Sequence, residues 1–200
     1  MVHRDVKPAN VVVNRTGTTF DFAKVLDFGL VKLVSTRSRD QDAVNLTALG
    51  TAGGTPAFIA PEVVLGAAET DHPVHIYSLG CVAYSLLTGK VVFEGGTVMQ
   101  VMIDHARTPA TRPSLRVELP IPPELEDLVM ECLAKEPGSR PASAEILSAR
   151  LACVSLSSAW TVERAERWWA LHLPTREDVR PVADILLSHE SHQRRIGPRA

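Results

Sequence analysis

The sequence predicts an α+β fold that is mainly α-helical and has one small β-hairpin near its N-terminus. Two runs rich in β-branched or aromatic residues, Ala9 to Asn14 and Thr19 to Leu26, flank an RTGT turn signal. From Ile76 onward, apolar residues recur at helical spacing in several segments. The chain has 200 residues, 45% of them hydrophobic, which fits one globular domain with a tail.

Helices are predicted to follow a long polar loop. Residues 31 to 56 are rich in Ser, Thr, Gly, Arg and Asp, and long loops in compact domains are usually functional. The segment from Ile76 to Leu87 is apolar on nearly every helical face, which predicts a buried helix that ends before Gly89. Further helices are predicted over Thr97 to Arg107, Glu124 to Ala134 and Ala142 to Leu151.

The C-terminal segment TVERAERWWALHLP predicts one more short helix, which carries Trp168 and Trp169. We interpret the two tryptophans as packing this helix onto the domain, with the docking of a partner as the alternative. The last twenty or so residues are polar, and we expect them to be frayed.

Composition excludes several classes of protein. A net charge of −2 provides neither a basic surface for nucleic acid nor a polybasic membrane anchor. No apolar run reaches the length that spans a bilayer. The three cysteines are scattered and form no CxxC pair, which argues against a disulfide framework or a zinc site. We therefore expect a cytoplasmic protein in a reducing compartment.

Polar residues stand at the ends of the two predicted strands. Asp5 precedes the first strand, Asn10 stands at its start, and Asp27 follows the second strand. Since a hairpin brings the start of one strand beside the end of the next, we expect these side chains to converge. Two oxygen-donating side chains suit Mg²⁺, and a further carboxylate accepts a proton from a hydroxyl. With Lys7 facing a phosphoryl group, the arrangement predicts phosphorylation of a hydroxyl.

Three motifs in order resemble those of the eukaryotic-like, bacterial-type protein serine/threonine kinases. HRDVKPAN occupies residues 3 to 10, DFG residues 27 to 29, and GTPAFIAPE residues 54 to 62. YSLGCVAYSLLTG and CLAKEPGSRPASA resemble the family's buried central helix and its final subdomain. The resemblance implies a kinase-like C-terminal lobe over residues 1–152, mainly helical with its hairpin at the catalytic loop. Residues 153–200 would form a C-terminal extension.

The resemblance also implies catalytic roles. Asp5 would accept the proton of the substrate hydroxyl, and Lys7 would steady the γ-phosphate of ATP. Asn10 and Asp27 would hold Mg²⁺. Thr55 would form a hydrogen bond near Asp5 and Lys7 and favour serine or threonine acceptors.

Structural roles are implied for the remaining motif residues. Phe28 and Gly29 complete the DFG motif after the metal-binding aspartate. Glu62 of the APE motif would pair with Arg140 of GSRP and tie the activation segment to the helical floor. If buried, such a pair is costly to break from one side.

Arg4 beside the catalytic aspartate suggests regulation by phosphorylation. A phosphate on Thr47 or Thr51 would pair with Arg4 and order the activation segment. The alternative is that both threonines are ordinary loop residues.

The start of the chain departs from the family pattern. In kinases a whole N-terminal lobe precedes the catalytic loop, whereas only Met1 and Val2 precede HRD here. We therefore expect the C-terminal lobe alone, with the N-terminal lobe absent and activity very weak. Apolar surface left uncovered would favour self-association.

Two functions remain open. The first is a kinase fragment that transfers the ATP γ-phosphate to Ser or Thr hydroxyls of a protein substrate. The second is a catalytically inactive kinase-like lobe that acts as a docking module. The intact catalytic residues favour the first. His75 favours the second, because the family usually has an aspartate there and a neutral histidine accepts fewer hydrogen bonds.

Overall fold

The computed structural model describes residues 6–17, 19–26, 56–67 and 72–174. These residues form a two-stranded sheet and six α-helices, so the prediction of a mainly helical α+β fold is confirmed. The strands are β1 (Val11–Thr16) and β2 (Thr19–Val25). The helices are α1 (Pro61–Val64), α2 (His72–Thr88), α3 (Val98–Arg107), α4 (Pro123–Cys132), α5 (Ala144–Ala152) and α6 (Val162–His172).

The chain divides into two compact units. One unit groups residues 1–12 with 23–157, and the other groups residues 13–22 with 158–200. The two strands therefore run from the first unit into the second, which contains the tip of the hairpin. Within the described ranges, no helix is both long enough and apolar enough to cross a bilayer.

The predicted hairpin is present. Gly17 adopts a left-handed backbone with φ of 59° in the turn between the strands, a conformation that glycine reaches without steric cost. At the other end of the hairpin, the Leu26 amide donates a hydrogen bond of 2.8 Å to the Asn10 carbonyl. The predicted loop over residues 31 to 56 lies outside the described residues, apart from Pro56.

Helix α2 forms the centre of the first unit, as its apolar character predicts. Ile76, Tyr77, Cys81 and Tyr84 are all at most 2% exposed, and the helix packs against α4. It begins at His72, earlier than the predicted Ile76, because Pro73 lies in the first turn, where the missing proline N–H breaks no helical hydrogen bond.

The other predicted helices are present with small shifts at their ends. Hydroxyl side chains cap three of them: Thr97 accepts from the Gln100 amide, and Ser143 and Thr161 accept from the amides three residues further on. The predicted starts of α3 and α5 therefore included capping residues. The short helix α1 was missed, since four residues carry no periodicity.

Helix α6 belongs to the second unit. Ala165 and Trp169 are its buried residues, at 2% and 8% exposed, whereas Trp168 is 41% exposed. The packing role predicted for the tryptophan pair thus belongs to Trp169.

Candidate active site

Lys7 and Asn10 lie on one tight turn. Pro8 begins the 3-10 turn Pro8–Asn10, where its fixed φ favours turn formation, and the Asn10 amide donates to the Lys7 carbonyl at 3.0 Å. Asn10 is buried, 7% exposed, and Val6 before the turn is also buried. The sequence VKPAN therefore fixes the spacing of the two predicted site residues by local backbone geometry.

The closed base of the hairpin joins Leu26 to the predicted site residue Asn10. Leu26, directly after β2, donates its amide to the Asn10 carbonyl, and Asp27 is the next residue in the sequence. The remaining predicted site residues lie outside the described residues: Arg4, Asp5, Asp27, Phe28, Gly29, Thr47, Thr51 and Thr55. Their roles stay predictions.

The predicted ion pair between Glu62 and Arg140 is present. The Arg140 guanidinium donates to both Glu62 carboxylate oxygens, at 2.7 and 2.8 Å. Its side chain is fully buried and that of Glu62 is 12% exposed. The guanidinium also donates to the carbonyls of Pro73, Ala134 and Lys135, at 2.8 to 3.0 Å. Arg140 therefore joins the APE motif to the start of α2 and to the loop after α4.

A second contact holds the residues before the APE motif. The Ser78 hydroxyl of α2 donates to the Phe58 carbonyl at 2.8 Å and to the Val74 carbonyl at 3.2 Å. Phe58 ends the 3-10 turn Pro56–Phe58. The described end of the activation segment, residues 56–64, is thus held to α2 directly by Ser78 and indirectly through Arg140, which binds both Glu62 and the Pro73 carbonyl.

A buried aromatic network beneath this segment was not anticipated from the sequence. The Arg140 guanidinium lies 4.9 Å from the centre of the Tyr77 ring, and the Tyr77 hydroxyl lies 2.9 Å from His105 Nδ1. Burial raises the pKa of Tyr77. Burial, with the nearby charge of Lys135, lowers the pKa of His105 to about 4. Both rings are therefore neutral at pH 7.

Lys135 completes the network. Its ammonium donates to the His105 carbonyl at 2.8 Å and to the Asp104 carbonyl at 3.3 Å, and it lies 4.6 Å from the centre of the Phe93 ring. Burial lowers the pKa of Lys135 to about 8. The YSLG block predicted a buried helix around Tyr77, but it carried no signal for partners on α3 and the loop after α4.

Comparison with known proteins identifies the family. Residues 1–151 match the protein kinase domain. The chain belongs to the protein kinase family. The resemblance inferred from the HRD, DFG and APE motifs is therefore confirmed, whereas the restriction to a C-terminal lobe stays a prediction. Members of this family use ATP and Mg²⁺ and act on protein substrates.

Bacterial relatives refine this result. The chain is 37% identical to the serine/threonine-protein kinase pkn3 of Myxococcus xanthus, over 77% of this chain and 28% of that protein. It is 36% identical to PkaA of Streptomyces coelicolor, over 78% of this chain and 26% of that protein. It is 34% identical to PknB of Mycobacterium leprae, over 76% and 22%. The kinase chain thus spans about a quarter of the length of these relatives.

Proposed function

We propose that this kinase-family chain takes part in transferring the γ-phosphate of ATP to a serine or threonine hydroxyl of a protein substrate. The closed base of the hairpin carries the proposal, because the hydrogen bond from Leu26 to Asn10 joins the two strand ends that carry the predicted metal ligands. The similarity to bacterial serine/threonine-protein kinases supports the same reaction.

The donor set suits the metal that the reaction requires. The side-chain amide oxygen of Asn10 and the carboxylate of Asp27 offer hard oxygen ligands, the kind that Mg²⁺ prefers. When bound, the ion neutralises negative charge on the phosphates of ATP. Asn10 and Asp27 would hold it, and Lys7, three residues before Asn10 on the same turn, would orient the γ-phosphate.

Asp5 would act as the general base. As the substrate oxygen forms its bond to the γ-phosphorus, the bond from that phosphorus to the bridging oxygen of ADP breaks, and the hydroxyl proton passes to Asp5. Asp5 precedes Lys7 by two residues, so the base and the phosphate-orienting cation come from one short segment. Thr55 would favour serine or threonine acceptors through hydrogen bonds near this pair.

Regulation would act through the activation segment. The ion pair between Glu62 and Arg140 anchors the C-terminal end of that segment. A phosphate on Thr47 or Thr51 would pair with Arg4 and order the part before the anchor. Phosphopeptide mapping of active protein tests this point, and finding both threonines unmodified would contradict it.

Calorimetric titration of the 200-residue chain with Mg·ATP tests the proposed function. We expect micromolar to low-millimolar affinity that disappears in Asn10→Ala and Asp27→Ala. Asp127→Ala is the matched control, since it removes an exposed carboxylate of α4. Loss of binding in that control, or no binding to the wild-type chain at several-millimolar Mg·ATP, would contradict the proposal.

A docking module without catalysis is the second candidate. His75 favours it, because this half-buried residue stands in the first turn of α2, where the family usually has an aspartate. A carboxylate accepts more hydrogen bonds than a neutral imidazole does. If the docking function is correct, the wild-type chain binds no Mg·ATP and transfers no labelled phosphate to a serine- and threonine-rich protein such as casein.

A further inference from the structure

Asp21 has a backbone conformation that is unusual for its position. It lies in the middle of strand β2 with φ of 58°, and it is the one non-glycine residue in the described part of the chain with positive φ. L-residues avoid this region because the Cβ atom approaches the following carbonyl, although aspartate tolerates it better than most. Residues held in such a conformation need surrounding contacts that over-determine it.

The Asp21 carboxylate makes those contacts with two tryptophans from the far end of the sequence. Trp169 Nε1 donates to Oδ1 at 2.7 Å, and Trp160 Nε1 donates to Oδ2 at 2.6 Å. Each indole uses its single donor on Asp21, and each oxygen accepts one of them. The two hydrogen bonds hold the pKa of Asp21 below its ordinary value. Such bonds to a charged acceptor are stronger than those between neutral groups.

The hairpin depends on this packing, because two strands alone are marginally stable in water. Among the described residues, β1 and β2 form a sheet of only two strands. Large apolar side chains on both strands remain exposed, including Val13 and Phe22 at 50% each. Helix α6 contributes a buried face to the unit that holds the hairpin tip, through Ala165 and Trp169.

We propose that residues 158–174 form an intramolecular strap, which holds the hairpin through Asp21 and thereby keeps its base closed between Asn10 and Leu26. Asp21 is then a positioning residue for Asn10. The part of this inference that concerns Mg·ATP binding rests on the proposed function, and the part that concerns the hairpin does not. The strands transmit the restraint, since β1 starts directly after Asn10 and β2 ends directly before Leu26.

Adjacent tryptophans offer a matched pair of variants in the full chain. Trp169→Phe keeps a ring but removes the indole N–H that Asp21 accepts. Trp168→Phe makes the same change at an exposed side chain whose indole has no hydrogen bond to Asp21. Asp21→Gly removes the carboxylate and still permits a positive φ, so it separates the hydrogen bonds from the backbone conformation. Asp21→Asn keeps one side-chain carbonyl and should restore part of the effect.

Hydrogen exchange provides the direct measurement. In Trp169→Phe and Asp21→Gly we expect the Leu26 amide and the other hairpin amides to exchange about tenfold faster, while the amides of α2 keep their wild-type protection. Trp168→Phe should match the wild-type chain, and Asp21→Asn should be intermediate. Wild-type exchange at Leu26 in both disruptive variants would overturn the proposal.

Calorimetric titration with Mg·ATP then distinguishes a positioning role from a merely structural one. We expect about twofold weaker affinity in Asp21→Gly, the loss that follows when the hairpin base is open in about half of the molecules. Unchanged affinity despite faster exchange would overturn the positioning role. If the wild-type chain binds no Mg·ATP, the proposed function fails, and hydrogen exchange alone decides whether the strap holds the hairpin base.

Discussion

Two arginine–glutamate pairs show how burial changes the importance of the same chemistry. Arg140 and Glu62 form a doubly hydrogen-bonded pair whose side chains are 0% and 12% exposed. Arg150 and Glu131 form a pair with the same geometry, at 2.6 and 2.7 Å, but their side chains are 45% and 34% exposed. Removing one partner leaves an uncompensated buried charge in the first pair and a hydrated one in the second.

We therefore expect Glu62→Ala to lower the free energy of unfolding by about 3–5 kcal/mol. Glu131→Ala, the matched control, should cost less than about 1 kcal/mol. Urea unfolding of the two variants measures both values. Equal losses would contradict the conclusion that burial makes the Glu62–Arg140 pair important for stability.

His105 predicts a pH dependence of stability. Its pKa is lowered to about 4 in the folded chain, so between pH 6.5 and 4 the unfolded chain binds more protons at this residue. Stability should therefore fall as the pH falls through this window, by up to about 3 kcal/mol from this group. The Tyr77 hydroxyl and the Lys135 ammonium face the imidazole, and Lys135 opposes a positive charge there. The Ala57 backbone and the Asp104 carboxylate favour the charged form, but burial and Lys135 outweigh them.

The measurement is urea unfolding at pH 7.0 and pH 4.5. His105→Gln should show a smaller loss of stability than the wild-type chain between these two pH values, because it removes the titrating group. His172→Gln, at the exposed end of α6, is the control and should keep the wild-type difference. An unchanged difference in His105→Gln would show that other groups cause the acid sensitivity.

At the scale of elements, a glycine allows two helices to pack closely together. A Cβ atom on Gly80 of α2 would lie 2.7 Å from Cys132 Cβ of α4, too close for the helices to keep their positions. Cys81 and Cys132 are both buried on the facing helices, and burial raises the pKa of both thiols. The absence of a side chain at Gly80 lets α2 and α4 approach.

Gly80→Ala should therefore destabilise the chain by about 1–3 kcal/mol, despite the better helix propensity of alanine. Gly138→Ala is the control, because nothing lies within 4 Å of its added Cβ, and it should change stability by less than about 0.5 kcal/mol. Thermal unfolding, monitored by circular dichroism, measures the stability of both variants. A stable Gly80→Ala chain would show that α2 and α4 can separate without cost.

Local patterns explain what was predictable from the sequence at this scale. The hairpin and five helices follow from periodicity, turns and caps, which act over a few neighbouring residues. The resemblance to the kinase family also predicted the Glu62–Arg140 pair. The contacts of Asp21 with Trp160 and Trp169 join residues 139 and 148 positions apart, and those of His105 and Lys135 depend on packing. No motif or periodic pattern in the sequence carried a signal for these contacts.

At the scale of the whole molecule, the two compact units carry different spectroscopic probes. The three tryptophans of the chain, Trp160, Trp168 and Trp169, all belong to the second unit. Five of the six described helices belong to the first, which therefore dominates the helical signal. Tryptophan fluorescence and far-UV circular dichroism thus report on different units of one chain.

We expect the fluorescence transition in urea to occur at a lower concentration than the circular dichroism transition. Few described side chains are buried in the second unit, and small cores give small stability. Asp21→Gly should lower the fluorescence midpoint and leave the circular dichroism midpoint nearly unchanged, whereas Gly80→Ala should do the reverse. Coincident transitions in the wild-type chain and in both variants would mean that the two units unfold as one, because a cooperative molecule gives the same midpoint by every probe.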